Sequence, residues 1–252
     1  MLVEQTIEKM NAMKLHGAAT ELREWLSKPK DKDLAPADLV GFLVDAEWHH
    51  REERKLAARL RNAKLRQSAA IEDIDYAHPR GLVKAVMLDL ASSRWATAHQ
   101  NVILTGPTGV GKSYLACALG QKACRDGLTV VYRRMSRLLD ELAQARADGT
   151  HLLLLRHLAK MQVLVIDDFG LEMLSAAQRN DLLNVMEDRY DVSATVVTSQ
   201  LEPSEWHNVI GDATIADAIC DRIVHNAHRI TLDGESIRKT KTGLTKENKR
   251  AK

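Results

Sequence analysis

The sequence is short of most features that would set it apart from ordinary globular chains. Its three cysteines, Cys117, Cys124 and Cys220, have no Cys-x-x-Cys spacing. That argues against a disulfide framework or structural zinc site and points to a reducing cytosol. Only five prolines and 13 glycines occur in 252 residues, which excludes collagen-like and low-complexity chains. Purely apolar runs such as 152–155 and 163–166 fall far below the roughly 18 residues a membrane span requires. The first residues show no basic stretch leading into an apolar one, so no secretory signal is expected. What is present, 45% hydrophobic and 28% charged residues, suits a chain that buries its own core.

Net charge is only +2, but it is unevenly spread. Residues 51–66 hold seven Lys or Arg against two acids, and 235–252 again hold seven against two. Between them, 67–234 hold sixteen against twenty-one. Two basic islands flank a mildly acidic middle.

Residues 1–66 lack strand alternation. Apolar positions Ile7, Met10, Leu15 and Leu22 follow a spacing near 3.6, which predicts one or two helices over 6–25. A charged break follows at 28–33, then Pro36 at a first helical turn. A single long helix is expected over 38–66, with Leu56, Leu60 and Ala63 on one stripe and Arg51, Lys55, Arg59 and Arg66 on another. From about residue 100 short apolar runs alternate with helical patterns. Strands are expected at 101–105, 129–132, 163–167, 195–199 and 228–232, the signature of a parallel, doubly wound α/β sheet. The domains read as a helical 1–68, a core of 69–239 and a polar, basic tail of 240–252 expected to be disordered.

After the first strand comes Gly106-Pro107-Thr108-Gly109-Val110-Gly111-Lys112-Ser113, which satisfies G-x-x-x-x-G-K-[ST]. A strand leads in and a helix, Tyr114 to Arg125, leads out, so backbone N–H groups and the positive helix end converge on phosphates. Lys112 suits the β- and γ-phosphates of ATP, and the Ser113 hydroxyl suits Mg²⁺. The strand Val163 to Ile166 ends in Asp167, placed to hold that Mg²⁺, and Asp168, placed to orient the attacking water. Asp168 stands where many hydrolases use glutamate, and its shorter reach predicts slow turnover. The strand ending at Ser199 suits a γ-phosphate sensor, with Ser199 the expected group; the alternative is a hydroxyl satisfying its own turn.

The stretches Met13-Lys14-Leu15-His16-Gly17, Asp45-Ala46-Glu47-Trp48, the phosphate loop through Tyr114-Leu115-Ala116, Asp167-Asp168-Phe169-Gly170, Thr198-Ser199-Gln200-Leu201 and 221–230 together resemble the IstB family. These are ATP-binding helpers of insertion sequences, related to the DnaC helicase loaders and DnaA initiators. The resemblance spans about residues 3–239. It implies an AAA+ core with a five-stranded parallel sheet behind a small helical domain. It also implies ATP-dependent homo-oligomeric assembly on duplex DNA, ATP sites at subunit interfaces and recruitment of a transposase. An arginine finger is implied too, matching Arg222, with Arg229 as second choice; the bland reading of Arg222 is a pair with Asp217 or Asp221. After the last strand about twenty residues remain, too few for the usual helical lid, and Arg238 is at most a weak stand-in for its sensor arginine.

DNA contacts are expected from Arg51, Arg54, Lys55, Arg59, Arg61 and Lys64, since phosphate neutralisation gives sequence-independent affinity. Arg133, Arg134 and Arg137, beside an inserted helical pair at 136–147 and 151–161, either line a DNA channel or are simply solvated. A helicase-loader adaptor would carry an identical core, and a small-molecule kinase would share only the loop. Trp95 reads as a core residue or a neighbour of the adenine.

Overall fold

A computed structural model describes residues 2–27 and 35–237. The charged break at 28–33, the tail 240–252 and Arg238 lie outside the described residues. By packing, the chain falls into two units, Met1–Ala58 and Arg59–Lys252. The division comes ten residues before the boundary expected at 68.

In the first unit the apolar spacing of 6–25 becomes two helices, α1 (Leu2–Ala12) and α2 (His16–Ser27), separated at Lys14, whose φ is 62°. A third helix, α3 (Pro36–Ala63), starts at the proline and runs on into the second unit. Gly17 and Glu47, both in the segments that carried the family resemblance, meet here. A Cβ on Gly17 would lie 2.5 Å from the Ala46 carbonyl oxygen and 2.7 Å from His50 Cβ, so only glycine lets the helices close. The Glu47 carboxylate accepts from the Gly17 and Ala18 N–H groups at 2.8 and 3.3 Å and from Arg51 Nε at 2.6 Å. It thereby satisfies the open N–H groups at the start of α2. Burial alone would push the Glu47 pKa up, but the Arg51 hydrogen bond and the two backbone donors outweigh it and hold the carboxyl below its ordinary value. Gly17→Ala should therefore destabilise this unit by about 1–3 kcal/mol, the usual scale of overpacking. Hydrogen exchange should show faster exchange across 16–27 with the sheet unaffected; unchanged protection there would disprove the close-approach reading.

The second unit is a sheet wrapped by helices. In chain order it holds α4 (Lys84–Leu90), α5 (Arg94–Thr97), β1 (Asn101–Thr105), α6 (Lys112–Arg125), β2 (Val130–Arg134), α7 (Met135–Ala147) and α8 (His151–Lys160). There follow β3 (Val163–Phe169), α9 (Ala176–Arg189), β4 (Ala194–Ser199), α10 (Trp206–Ile210), α11 (Ala213–Val224) and β5 (Ala227–Thr231). All five expected strands form, in the order β2-β3-β4-β1-β5, every neighbouring pair parallel. This is the doubly wound α/β sheet the β-α alternation predicts. The inserted helical pair also appears, as α7 and α8 between β2 and β3.

Alternation along β3 assigns the two faces. Leu164 and Ile166 join a core with Leu138 and Leu142 of α7, Leu158 of α8, Leu182 and Val185 of α9 and Ile219 of α11. The opposite face carries Val163 and Val165, fully buried, with Val165 beside Gly120 of α6. A strand covered on both faces must be apolar throughout, which is why Val163–Ile166 reads as an unbroken run. Trp95 is a core residue, 3% exposed with its indole N–H on the Leu90 carbonyl. Cys117 and Cys124 are buried within α6, as small apolar groups would be. Among the described residues no helix is long and apolar enough to cross a membrane.

Two strands run further than expected, and both extensions matter. β2 continues through Arg133 and Arg134, which puts Arg134 in register with Asp167. β3 continues through both aspartates to Phe169 by way of a bulge, where three steps from Ile166 to Phe169 match two from Val197 to Ser199 on β4. Bulges re-aim side chains beside functional sites. Here the extra residue is Asp168, left-handed at φ 63°.

Candidate nucleotide site

The loop between β1 and α6 sits at the carboxyl edge of the sheet, where open α/β folds hold ligands. Gly109 and Gly111 have φ of 92° and 99°, a region that side chains avoid. A Cβ on Gly109 would strike Ser236, and one on Gly111 would strike Arg80 Nη1, so the loop's outer flank is packed as well as strained. Arg80 is 3% exposed and donates to the Val110 and Asp75 carbonyls, both at 2.9 Å. Burial drives its pKa down. From the other side the chain after β5 follows the loop, with the Leu232 N–H on Thr105 and the Ile237 N–H on Gly109.

Lys112 begins α6 and lies folded over the loop, its Nζ donating to the Gly106 and Pro107 carbonyls at 2.6 and 2.8 Å. The first N–H groups of α6, at Lys112, Ser113 and Tyr114, have no acceptor within their own helix and so offer a site for anions. The Ser113 hydroxyl donates to Asp167 Oδ1 at 2.7 Å. A hydroxyl beside a fully buried carboxylate is an all-oxygen set, which fits a hard divalent cation such as Mg²⁺.

Asp167 is the hub of the site. Oδ1 also accepts from Thr198 Oγ1 at 2.6 Å, while Oδ2 accepts from Tyr132 Oη at 2.5 Å and Arg66 Nη1 at 3.3 Å. Burial, then the contact with Asp167, pushes the Tyr132 phenol well above its ordinary pKa, so it stays a donor. Asp168, turned by the bulge, points its Oδ2 at Arg134, which reaches it through Nη2 at 2.9 Å and Nε at 3.2 Å. Arg66 Nη1 is 3.7 Å from the same oxygen.

The expected sensor at Ser199 is placed differently. Its hydroxyl is fully buried, donates to the Phe169 carbonyl at 2.9 Å and accepts from the Leu201 N–H at 3.1 Å. It closes the turn after β4, the alternative the sequence left open. Its neighbour Thr198 faces the acids instead, accepting from the Asp168 N–H at 3.0 Å and donating to Asp167. Strand alternation allows only one of the two to do so, and no residue pattern sets its phase. Tyr132 and Arg66 were equally unsignalled; only the register of β2 against β3 brings the phenol to the acid.

Arg222 lies at the other end of the sheet. Asn101, the first residue of β1, donates from its side chain to the Arg222 and Ile223 carbonyls, both at 3.0 Å, and accepts from the Thr195 N–H. The five-residue strand separates that point from the loop by roughly 15 Å. Arg222 pairs with Glu187 at 2.9 Å and lies over the Tyr190 ring, in place of the Asp217 or Asp221 pairing considered from sequence. Asp217 pairs with His207. Arg229 is exposed on β5, with Nη2 3.5 Å from the Val224 carbonyl.

The basic positions divide. Arg51 pairs with Glu47, Lys55 with Glu52, and Arg59 donates to the Cys124 carbonyl. Arg133 is largely covered and paired with Glu141, while the half-exposed Arg134 pairs with Asp168. Arg54, Arg61 and Lys64 are exposed, as is Arg137, 3.9 Å from Asp140.

Over residues 8–245 the chain matches the family described as IstB-like ATP binding protein. An insertion-sequence ATP-binding protein of Sinorhizobium fredii is 51% identical over 239 residues, covering 95% of this chain and 98% of the relative. Among solved structures, DnaI aligns with a TM-score of 0.57 at 22% identity, covering 70% of this chain and 93% of that one. AMPPCP-bound DnaA from Aquifex aeolicus aligns with a TM-score of 0.59 at 16%, covering 71% and 56%. At those identities the likeness is one of fold, and the fold is the AAA+ core. A phosphate loop, an acidic strand partner and a family match over nearly the whole length agree: the chain belongs to the IstB-like ATP-binding proteins of insertion sequences.

Proposed function

We propose that the protein is an ATP-hydrolysing transposition helper that assembles with copies of itself on duplex DNA and delivers a partner transposase. The observation that carries the hydrolytic reading is the convergence of Lys112, Ser113, Asp167, Asp168 and Thr198 at one sheet edge. Lys112 would leave the loop carbonyls for the β- and γ-phosphates. Ser113 and Asp167 would hold Mg²⁺, which when bound neutralises phosphate charge. Asp168, freed from Arg134, would orient the attacking water, and Thr198 is better placed than Ser199 to sense the γ-phosphate. The exposed Arg54, Arg61, Lys64 and Arg137 support the DNA part, as phosphate contacts. The family supports the transposition part.

The test is fluorescence anisotropy with labelled duplex DNA across a salt series. ATP should tighten binding, and affinity should fall steeply and linearly with log salt concentration. Asp168→Asn should keep ATP-dependent binding while stopping turnover. Binding indifferent to ATP, or marked preference for single strands with co-purification of a helicase, would defeat the proposal in favour of a helicase-loader adaptor.

A further inference from the structure

Arg66 reaches both acids, and the hydrolytic reading gives it no role. It follows directly from α3, the helix that carries the basic stripe. That helix ends at Ala63, Lys64 turns left-handed at φ 51°, and two residues later the guanidinium lies 3.3 Å from Asp167 and 3.7 Å from Asp168. The stretch 59–67 follows α6 backwards. Arg59 bonds the Cys124 carbonyl, Leu65 packs against Gly120, and the backbone at Arg66 and Gln67 reaches the Cys117 thiol. Burial disfavours the Arg66 cation, but Tyr132 and Asp167 more than compensate and hold it charged.

Asp168 Oδ2 thus faces two cations, Arg134 from the sheet and Arg66 from the stem of α3. A carboxylate so engaged is held away from a water at the γ-phosphate. Resting on the hydrolytic reading above, we infer that Arg66 is a positioning residue that holds Asp168 in its resting orientation and ties that hold to α3. Displacement of the 59–67 stem, for instance by duplex DNA drawn to the exposed Arg61 and Lys64, would withdraw one of the two cations and leave Arg134 alone to hold the acid, easing its release. The device differs from the Arg134 contact because Arg66 belongs to the basic stretch rather than the sheet.

Two readouts test it on the full-length protein. In steady-state kinetics without DNA, Arg66→Ala should raise kcat about fivefold, the scale of one partly exposed ion pair, with KM for ATP within twofold. Duplex DNA should then stimulate it correspondingly less than wild type, and Arg66→Lys should behave nearly as wild type. A lower kcat, or a KM that rises in step with any change, would overturn the inference, since a merely structural arginine would show that. The second readout needs no turnover. In hydrogen exchange with Mg²⁺ and a non-hydrolysable ATP analogue, peptides 106–113 and 59–67 should both respond in wild type, and only 106–113 in Arg66→Ala. A response at 106–113 alone in wild type, or one at 59–67 that survives the substitution, overturns the inference and leaves the nucleotide reading standing. No response at either overturns both.

Discussion

Replacing Lys112 with alanine is expected to weaken ATP binding about a hundredfold or more. The side chain is 7% exposed and folded onto the Gly106 and Pro107 carbonyls, so its ammonium is already desolvated at the place where phosphates would arrive. A charge-assisted hydrogen bond contributes about 1.5–3 kcal/mol, and an ammonium facing a triphosphate makes more than one. Alanine loses those bonds without filling the space, and the loop's glycine conformations are untouched. Anisotropy of a fluorescent ATP analogue measures the effect, with thermal melting to confirm that the sheet persists. Affinity within fivefold of wild type would mean that the phosphates lie elsewhere.

Arg222→Ala should be comparably severe but appear only in turnover. Trans-acting arginines in related NTPases contribute 10³ to 10⁵ in rate, so a loss of about a thousandfold in kcat is expected, with ATP affinity nearly unchanged. The reason is distance. Anchored beside Asn101 at the start of β1, Arg222 lies a strand's length from the loop that begins where β1 ends, so the finger role proposed for it requires another copy's nucleotide. Its present ion pair with Glu187 is partly exposed and contributes at most about 1 kcal/mol, so the substitution should not unfold the protein. Mixing Arg222→Ala subunits with Lys112→Ala subunits should restore part of the activity, because some sites then pair an intact loop with an intact arginine. Absence of any rescue would refute the trans arrangement.

The sheet and the phosphate loop were legible because they depend on local pattern. Val163–Ile166 is apolar throughout because it is covered on both faces, and the loop's residue types follow from phosphate chemistry alone. The acid pair was legible in identity but not in arrangement. Nothing in Asp167-Asp168 announces that a bulge turns the second acid aside, or that Arg134 meets it, because both follow from the pairing of β3 with its two neighbours. Thr198 and Ser199 were indistinguishable for the same reason: which hydroxyl faces the acids depends on the phase of β4. Arg66 was read as one cation of a helical stripe, since its approach to Asp167 spans 101 positions of sequence.

The brevity of β1 sets a gauge. Four residues, 102–105, separate the amide that fixes Arg222 from the turn that would grip phosphate. Inserting one residue would swap the two faces of a strand buried along its whole length, so the span does not change by small steps without repacking the core. In the assembly proposed above, the distance between the nucleotide a subunit grips and the arginine it would lend to a neighbour follows from the length of this rod.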